Sequence, residues 1–359
     1  MKRIAAKIPL YKAFRRLGKP RIFPLNLTLN VTYRCPSRCQ TCNIWKKEVD
    51  ELTLAEWEKI FESIGRGKIY WLILSGGEPF LRKDLPELCS IAYKHLKPKV
   101  INIPTNGYLY QVVPEMVEKI LANCPKSQIV INFSLDGIAE KHDKIRNLAG
   151  SFENFIKSYT ALGKIKNPRL TIGIHTVISK LNFHEIPEIY SYVIENLKPD
   201  SYITEIAEQR VELDNFDLDV FPKYQEYESA IDFLLGKMKN QKTVGLSKIT
   251  RSLRRQYYQL AKKIMRGKKQ TIPCYAGFAS AQISAEGEVW PCCVRADSMG
   301  KLREADYDFR KVWESPEAEK IRRSIKKQEC FCPLASASYS NMLMHNPTLF
   351  KLLRNYFFT

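Results

Sequence analysis

The 359-residue sequence lacks the apolar segments that would place it in or across a membrane. Its basic N-terminus has no continuous apolar core of the kind found in secretory signal peptides. No stretch approaches the ~18 uninterrupted apolar residues of a transmembrane helix. Internal repeats, low-complexity tracts and long Gly/Ser linkers are also missing, which indicates domains that pack together. We therefore expect an intracellular, cytoplasmic chain with reduced thiols, because disulfides persist mainly in oxidising compartments.

Acidic residues are missing from two segments that carry almost all of the formal net charge of +19. Residues 1–21 hold eight Lys or Arg, and residues 241–270 hold ten. Apolar residues recur in both segments at helical spacing: Ile4, Ile8, Tyr11, Phe14 and Leu17 in the first, and Ile249, Leu253, Tyr257, Leu260 and Ile264 in the second. Basic amphipathic helices are typical of elements that dock on an anionic membrane surface. Packing against the protein itself and binding of nucleic acid are the alternatives.

Three of the ten cysteines form a C-x3-C-x2-C run, Cys35, Cys39 and Cys42, directly after the apolar stretch 25–31. Three thiolates this close together can hold three of the irons of a [4Fe–4S] cluster and leave the fourth iron open. An open coordination position distinguishes catalytic metal sites from closed structural ones. A zinc site completed by a distant ligand is the alternative.

The cysteine run resembles the motif of the radical S-adenosylmethionine (radical SAM) superfamily. One difference is Thr41, which stands where the family usually has an aromatic residue near the adenine, so part of the adenine pocket is unassigned. A second family element follows the apolar run 71–74, namely Gly76, Gly77, Glu78 and Pro79. The resemblance implies that this GGEP element holds the amino group of SAM, with Glu78 as the charged partner.

Short β-branched runs alternate with helical patterns from the cysteine run to about residue 205, which indicates a parallel sheet of βαβ units. The fold class is therefore α/β, and the resemblance implies a partial (β/α)6 TIM-like barrel. By the same resemblance, Asn106, Ser134 and Asp136 contact SAM from strand ends. A turn or strand-end role is the alternative for each of them. His142 and Arg146 follow on a segment typical either of the family's active site or of a solvated helix start.

A second group of cysteines lies near the C-terminal end, at Cys274, Cys292, Cys330 and Cys332. Their spacing resembles the SPASM or twitch extension of radical SAM enzymes, with a hairpin predicted over residues 281–290. Four thiolates would ligate one auxiliary [4Fe–4S] cluster. Cys330 and Cys332 are closer together in the sequence than the family's usual C-x2-C pair. If one of them is not a ligand, Cys293 is the natural substitute. A structural zinc site is the alternative.

These features divide the chain into five predicted parts. They are a basic amphipathic N-terminal segment (1–23), a radical SAM core (24–205), a basic helical connector (206–270), a SPASM/twitch-like auxiliary-cluster domain (271–335) and a C-terminal tail (336–359).

The resemblance also implies a reaction. An electron donor such as ferredoxin or flavodoxin reduces the first cluster, SAM is cleaved, and the resulting 5′-deoxyadenosyl radical abstracts hydrogen from a C–H bond. The sequence assigns no catalytic side chain beyond these cofactor contacts. The basic amphipathic segments favour a membrane lipid, including an isoprenoid chain, as substrate and a peripheral position on the membrane, with nucleic acid as the weaker partner. The alternatives are a peptide-modifying or protein-modifying maturase and a non-catalytic iron–sulfur or zinc interaction protein.

Overall fold

A computed structural model describes the backbone of residues 2–239 and 246–358, and the side chains of residues 4–239, 250–352 and 354. Part of the predicted basic segment 241–270, including the side chain of Ile249, lies outside the described residues.

The centre of the molecule is one sheet of eight strands in the order β6-β5-β4-β3-β2-β1-β7-β8. All neighbouring pairs are parallel except the last, β7 with β8. The sheet is not closed, since β6 and β8 form its two edges. This arrangement confirms the predicted α/β class and partial barrel. The strands are β1 Asn26–Thr32, β2 Trp71–Gly76, β3 Val100–Thr105, β4 Gln128–Ser134, β5 Leu170–Ile178, β6 Ser201–Ile206, β7 Ser280–Ile283 and β8 Val289–Trp290.

Helices alternate with the first six strands and cover the outer face of the sheet. The α-helices are α1 Lys2–Leu17, α2 Leu54–Ile64, α3 Leu85–Leu96, α4 Val112–Asn123, α5 Glu140–Arg146, α6 Ser151–Leu162, α7 Ile186–Tyr192, α8 Tyr224–Lys239, α9 Leu246–Gly267, α10 Phe309–Trp313, α11 Pro316–Lys326, α12 Ala335–Met344 and α13 Asn346–Phe358. In α2, Thr53 caps the N-terminus, and the apolar positions predicted at helical spacing are buried, as at Trp57 and Phe61.

The two faces of the sheet differ because side chains alternate along each strand. Leu27, Leu29 and Val31 of β1 point outward and pack in the main core with the helices. The intervening residues point to the inner face, where Asn30 is completely buried. Each fully buried aliphatic side chain contributes about 1.5–3 kcal/mol relative to an exposed one, so the outer face holds the sheet to its helices.

The hairpin predicted over residues 281–290 is present as β7 and β8. The sequence did not predict where it sits. β7 pairs in parallel with β1, from Asn26 opposite Ser280 to Leu29 opposite Ile283. The C-terminal cysteine segment is therefore joined to the barrel by backbone hydrogen bonds beside the strand that leads into the first cysteine run.

Most of the described apolar side chains of the two basic stripes face the protein, whereas Leu17 at the end of α1 is exposed. Tyr11 and Phe14 of α1 are buried, with exposed fractions of 1% and 0%, and Tyr257 and Ile264 of α9 are equally buried. Amphipathic periodicity is the same for a helix on lipid and a helix on a protein core. Here these side chains are committed to the core, so they offer no apolar surface to a membrane. Among the described helices, none combines the length and apolarity needed to span a bilayer.

Candidate active site

The first cysteine loop, residues 33–43, leaves the carboxyl end of β1 and lies against α5. The backbone N–H groups of Arg38 and Gln40 donate to the carbonyls at the end of α5, at 3.1 and 2.9 Å. These bonds fix the loop between β1 and α5. Cys35, Cys39 and Cys42 are free thiols, each half-buried.

Polar groups approach each of the three thiols. The Asn106 amide nitrogen lies 4.0 Å from the Cys35 sulfur, and a guanidinium nitrogen of Arg146 lies 3.8 Å from the Cys39 sulfur. The Ile44 N–H donates to the Cys42 sulfur at 3.4 Å. Donors of this kind stabilise thiolates and the sulfur ligands of a cluster.

The donor set fits a cluster held by three cysteines. Burial, reinforced by the charge of Cys39, raises the pKa of both Cys35 and Cys42 to about 12. Both are therefore protonated in the chain at neutral pH. Because iron binds thiolates, assembly of a cluster here releases protons. The three sulfurs would hold three irons and leave one position open, and the N–H groups would stabilise the sulfurs.

The paired glycines bring β2 against the cysteine loop. A side chain at Gly76 would place its Cβ 2.1 Å from the Thr32 carbonyl oxygen, and one at Gly77 would lie 2.2 Å from the Arg34 carbonyl oxygen. The Gly77 N–H also donates to Thr32 at 2.8 Å. Only glycine permits this approach. The close contact of both glycines is therefore with the backbone of the chain itself. Pro79 then begins a single short helical turn.

Glu78 is almost completely buried, with an exposed fraction of 1%. Its carboxylate accepts hydrogen bonds from the Thr105 hydroxyl at 2.9 Å, the Asn106 N–H at 2.7 Å and the Phe80 N–H at 3.2 Å. Burial raises the pKa of Glu78 to about 7, although these bonds oppose the shift. A carboxylate has about four acceptor positions, so one remains for a ligand.

Asn106 joins the end of β3 to the cysteine loop. Its side-chain oxygen accepts from the Tyr108 N–H at 2.9 Å, the turn contact that a strand-end residue makes. Its side-chain nitrogen donates to the Ser37 hydroxyl at 3.3 Å and approaches Cys35. The turn interpretation therefore applies to this residue, which also reaches the thiols, and its contact with SAM stays a prediction.

Asp136 and Arg146 form a buried ion pair of 2.7 Å beside the thiols. The second carboxylate oxygen of Asp136 accepts from the Val177 N–H at 2.8 Å. His142 lies behind the pair, where its ring nitrogen accepts from the Asp136 N–H at 3.3 Å, and burial lowers its pKa. Ser134 ends β4 and is half-buried. Sequence reasoning did not choose a role for Arg146, which proves to contact Cys39.

The second cysteine centre is a small cavity at the C-terminal end of the molecule. All four predicted cysteines line it, together with apolar side chains and one cation; the lining includes Cys274, Cys292, Cys330, Cys332, Ile325, Phe331, Ala337 and Arg295. Arg295 approaches the Cys330 sulfur at 3.8 Å, and Arg15 of α1 donates to the Cys274 carbonyl at 2.9 Å. Among the described residues, no group of three or more His, Cys, Asp and Glu is gathered to hold a single metal ion.

Cys293 is absent from the lining of that cavity. It is buried, with an exposed fraction of 6%, in a small cluster with Leu334 and Ala337. Burial raises its pKa, and the nearby charge of Glu212 adds to the shift. The geometry thus favours the original four cysteines as a set, although the cluster that holds Cys293 is packed against Cys292 and Cys332.

One feature of the site was not found by sequence reasoning: the segment of residues 207–217, here called the bridging segment. Its Leu213 carbonyl accepts from the Asn43 N–H at 2.9 Å, beside the first cysteines. Its Glu212 N–H donates to the Cys293 carbonyl at 3.2 Å, beside the second. The side chain of Asn215 also donates to the Thr41 carbonyl at 3.1 Å. Most of these contacts are to backbone atoms, which leave no pattern in the sequence.

Comparison with known protein families agrees with this geometry. The radical SAM superfamily model matches residues 29–193, and the SPASM iron–sulfur cluster-binding domain model matches residues 274–333. Together the two matches cover well over half of the chain. The protein belongs to the radical SAM superfamily and carries a SPASM domain. Its cofactors are accordingly SAM and iron–sulfur clusters, which favours a cluster over zinc at the second centre.

Two kinds of named protein are similar to this chain: synthases of Fe-coproporphyrin III or heme, and a peptide cyclase. The chain is 31% identical to Fe-coproporphyrin III synthase of Methanosarcina barkeri over 47% of the chain and 41% of that protein. It is 26% identical to AdoMet-dependent heme synthase of the same organism over 87% of both chains. It is 30% identical to PqqA peptide cyclase of Granulibacter bethesdensis over 46% of the chain and 43% of that protein. The match thus spans only about two fifths of the length of Fe-coproporphyrin III synthase and of PqqA peptide cyclase.

The fold is also that of a solved radical SAM structure. Streptococcus suis SuiB bound to S-adenosylmethionine superposes with a TM-score of 0.61 over 87% of this chain and 71% of that one. Sequence identity in this superposition is 19%, so the likeness concerns the fold.

Proposed function

We propose that this protein is a radical SAM maturase that modifies a peptide by abstracting hydrogen from one of its C–H bonds. The observation that carries the proposal is the polar inner face of the barrel. Asn132 donates to Asn102 at 2.8 Å across β4 and β3, and Gln282 donates to Asn30 at 3.0 Å across β7 and β1. A peptide backbone can exchange hydrogen bonds with such amides.

The same inner face argues against a lipid substrate. An isoprenoid chain could not pair the side-chain oxygen of Asn132, which is buried without a hydrogen-bond partner among the described residues, and burying an unpaired polar group costs about 1–3 kcal/mol. The membrane argument for a lipid also depended on the apolar stripes of α1 and α9, whose residues Tyr11, Phe14, Tyr257, Leu260 and Ile264 lie in the protein core. None of the similar proteins described above is named for a lipid substrate. We therefore replace the lipid hypothesis with the peptide alternative.

The residues around the first cysteines have distinct roles in this proposal. When bound, the cluster and SAM supply the 5′-deoxyadenosyl radical that takes a hydrogen atom from substrate. Glu78 presents its remaining acceptor position to the SAM ammonium. Arg146 places a positive charge beside Cys39 while Asp136 holds it in position. The glycine contact keeps this group of residues in register with the cysteine loop.

Radical SAM chemistry requires a source of electrons, and we propose ferredoxin or flavodoxin for this role. Such acidic proteins suit a chain with a net charge of +19. Arg16 of α1 and Lys263 and Arg266 of α9 are exposed and provide a surface for that encounter.

A second candidate is modification of a tetrapyrrole. The specific observation in its favour is the alignment with AdoMet-dependent heme synthase, which covers 87% of both chains. Tetrapyrrole side chains carry carboxylates, so this candidate predicts an inner face with free cations.

Deuterium transfer distinguishes these substrates. A perdeuterated cell extract is separated into peptide, tetrapyrrole and lipid fractions, and each is incubated anaerobically with the reconstituted protein, SAM and dithionite. Abstraction from a C–D bond places deuterium in the 5′-deoxyadenosine product, which mass spectrometry detects. We expect deuterium only from the peptide fraction. Transfer from the tetrapyrrole or lipid fraction, or from none, would refute the proposal.

A further inference from the structure

The inner face carries an unusual set of charges where β5 and β6 end. Glu205 lies 3.0 Å from the Arg210 guanidinium, and Glu208 lies 3.4 Å from the same group. Burial lowers the pKa of His175, the neighbour of Glu205, so its ring is neutral at pH 7. Arg210 is thus already paired with two carboxyl groups. A third carboxyl group, that of Glu212, lies on the same bridging segment.

Glu212 differs from the other buried carboxylates in how little compensates its charge. Glu78 accepts three hydrogen bonds, and Asp136 has Arg146 and a backbone N–H. Glu212 has an exposed fraction of 7%, yet its only hydrogen-bond donor among the described residues is the neutral amide of Gln282, 2.6 Å from one oxygen. None of the described Lys, Arg or His side chains forms an ion pair with it.

Glu212 also lies between the two cysteine centres. Its N–H donates to the Cys293 carbonyl on one side, and the next residue, Leu213, accepts from Asn43 on the other. Gln282, its amide partner, points inward from β7 and also reaches Asn30 of β1. The carboxylate therefore stands on the inner face, held by a segment that is fixed at both ends.

A buried carboxylate without a cationic partner is costly, and a ligand that brings a cation removes the cost. We propose that Glu212 binds a cationic group of the substrate, a Lys or Arg side chain or the amino terminus of a peptide. This inference rests on the proposed peptide function and specifies the peptide's chemistry. The second oxygen of Glu212 accepts the cation, and the bridging segment sets its distance from both cysteine centres.

The charge argument separates peptides from tetrapyrroles. A tetrapyrrole carboxylate placed here would meet Glu205, Glu208 and Glu212 with only Arg210 to offset them. Arg210 is already engaged by two of the three. Repulsion between like charges at short range opposes binding of the tetrapyrrole, whereas the positive charge of a cationic peptide offsets that of the carboxylates.

A binding assay that needs no turnover tests the inference. Reconstituted protein with SAM, but without reductant, is immobilised and offered two synthetic peptide libraries that differ only in a fixed lysine or its uncharged analogue norleucine. We expect about tenfold or greater enrichment of the lysine library, since a hydrogen bond to a charged group is strong. Glu212→Gln should remove the enrichment. Glu118→Gln, an exposed change on α4, should leave it intact.

The outcomes are separable from those of the deuterium experiment. If peptides transfer deuterium but the wild-type protein shows no lysine preference, the recognition proposal is wrong and the peptide function stands. A preference that survives in Glu212→Gln would also refute it. If Glu212→Gln does not fold, Glu212→Asp retains the charge at a shorter reach and should weaken the enrichment. Enrichment that Glu212→Asp leaves unchanged would overturn the assignment.

Discussion

The two cysteine centres differ in what surrounds their sulfurs. At the first, three thiols meet polar groups from Asn106, Arg146 and Ile44. At the second, four thiols line a cavity with the apolar side chains of Ile325 and Ala337, and a single cation, Arg295, lies 3.8 Å from the Cys330 sulfur. Three thiols beside polar strand ends suit an open iron that receives a ligand, whereas four thiols in a largely apolar cavity suit a closed cluster. We therefore expect SAM to bind at the first centre and the second to have no exchangeable position.

The largest expected effect comes from removing the first set of ligands. Replacing Cys35, Cys39 and Cys42 with Ala should lower the iron content from about eight to about four per chain, as expected for two [4Fe–4S] clusters. It should also abolish SAM cleavage, because no open iron remains. Iron analysis and 5′-deoxyadenosine production measure the two effects. Retained cleavage would show that SAM binds elsewhere.

Changes at the second centre should remove iron without abolishing SAM cleavage. Replacing its four cysteines with Ala should leave about four irons and keep dithionite-driven cleavage. Cys293→Ala is the matched control, since Cys293 lies outside the cavity. It should retain about eight irons. Loss of iron from Cys293→Ala would make it a ligand and reopen the assignment of the C-terminal pair.

The contacts of α1 predict that this helix stabilises the second cysteine centre more than the first. Phe14 is fully buried against Phe278, and its neighbour Arg15 bonds the Cys274 carbonyl. Phe14→Ala should lower the free energy of unfolding by about 3–5 kcal/mol and release iron from the second centre first. Leu17→Ala, on the same helix but 72% exposed, should change stability by less than about 0.5 kcal/mol. Equal effects of the two changes would contradict this role of α1.

The smallest expected effect concerns pH and Glu78. Because burial raises the pKa of Glu78 to about 7, its carboxylate is ionised above that pH and protonated below it. The SAM ammonium prefers the ionised form, so SAM affinity should fall as pH drops below 7, by up to about tenfold per unit. Equilibrium titrations should show this dependence in the wild type. In Glu78→Gln the affinity should be weaker and the dependence lost; a persistent dependence would implicate another group.

Much of the fold was predictable because its signals are local. Apolar or β-branched runs marked the first five barrel strands, although not β6, and the spacing of Cys35, Cys39 and Cys42 indicated an open cluster site. The position of β7 beside β1 and the path of the bridging segment were not predictable. Backbone hydrogen bonds make most of these contacts, and such bonds do not depend on residue type. The burial of Tyr257 and Ile264 was not predictable for a related reason, since an apolar stripe shows the same periodicity whether it faces lipid or protein. Docking of the basic segments on a membrane stays a prediction.

The response of each centre to SAM tests the distinction between them most directly. Electron paramagnetic resonance spectra of the reduced protein are recorded with and without SAM in two variants, each lacking the cysteines of one centre. SAM should alter the spectrum when only Cys35, Cys39 and Cys42 remain, because it binds the open iron. It should leave the spectrum unchanged when only Cys274, Cys292, Cys330 and Cys332 remain. A spectral change in the second variant, or none in the first, would contradict the account.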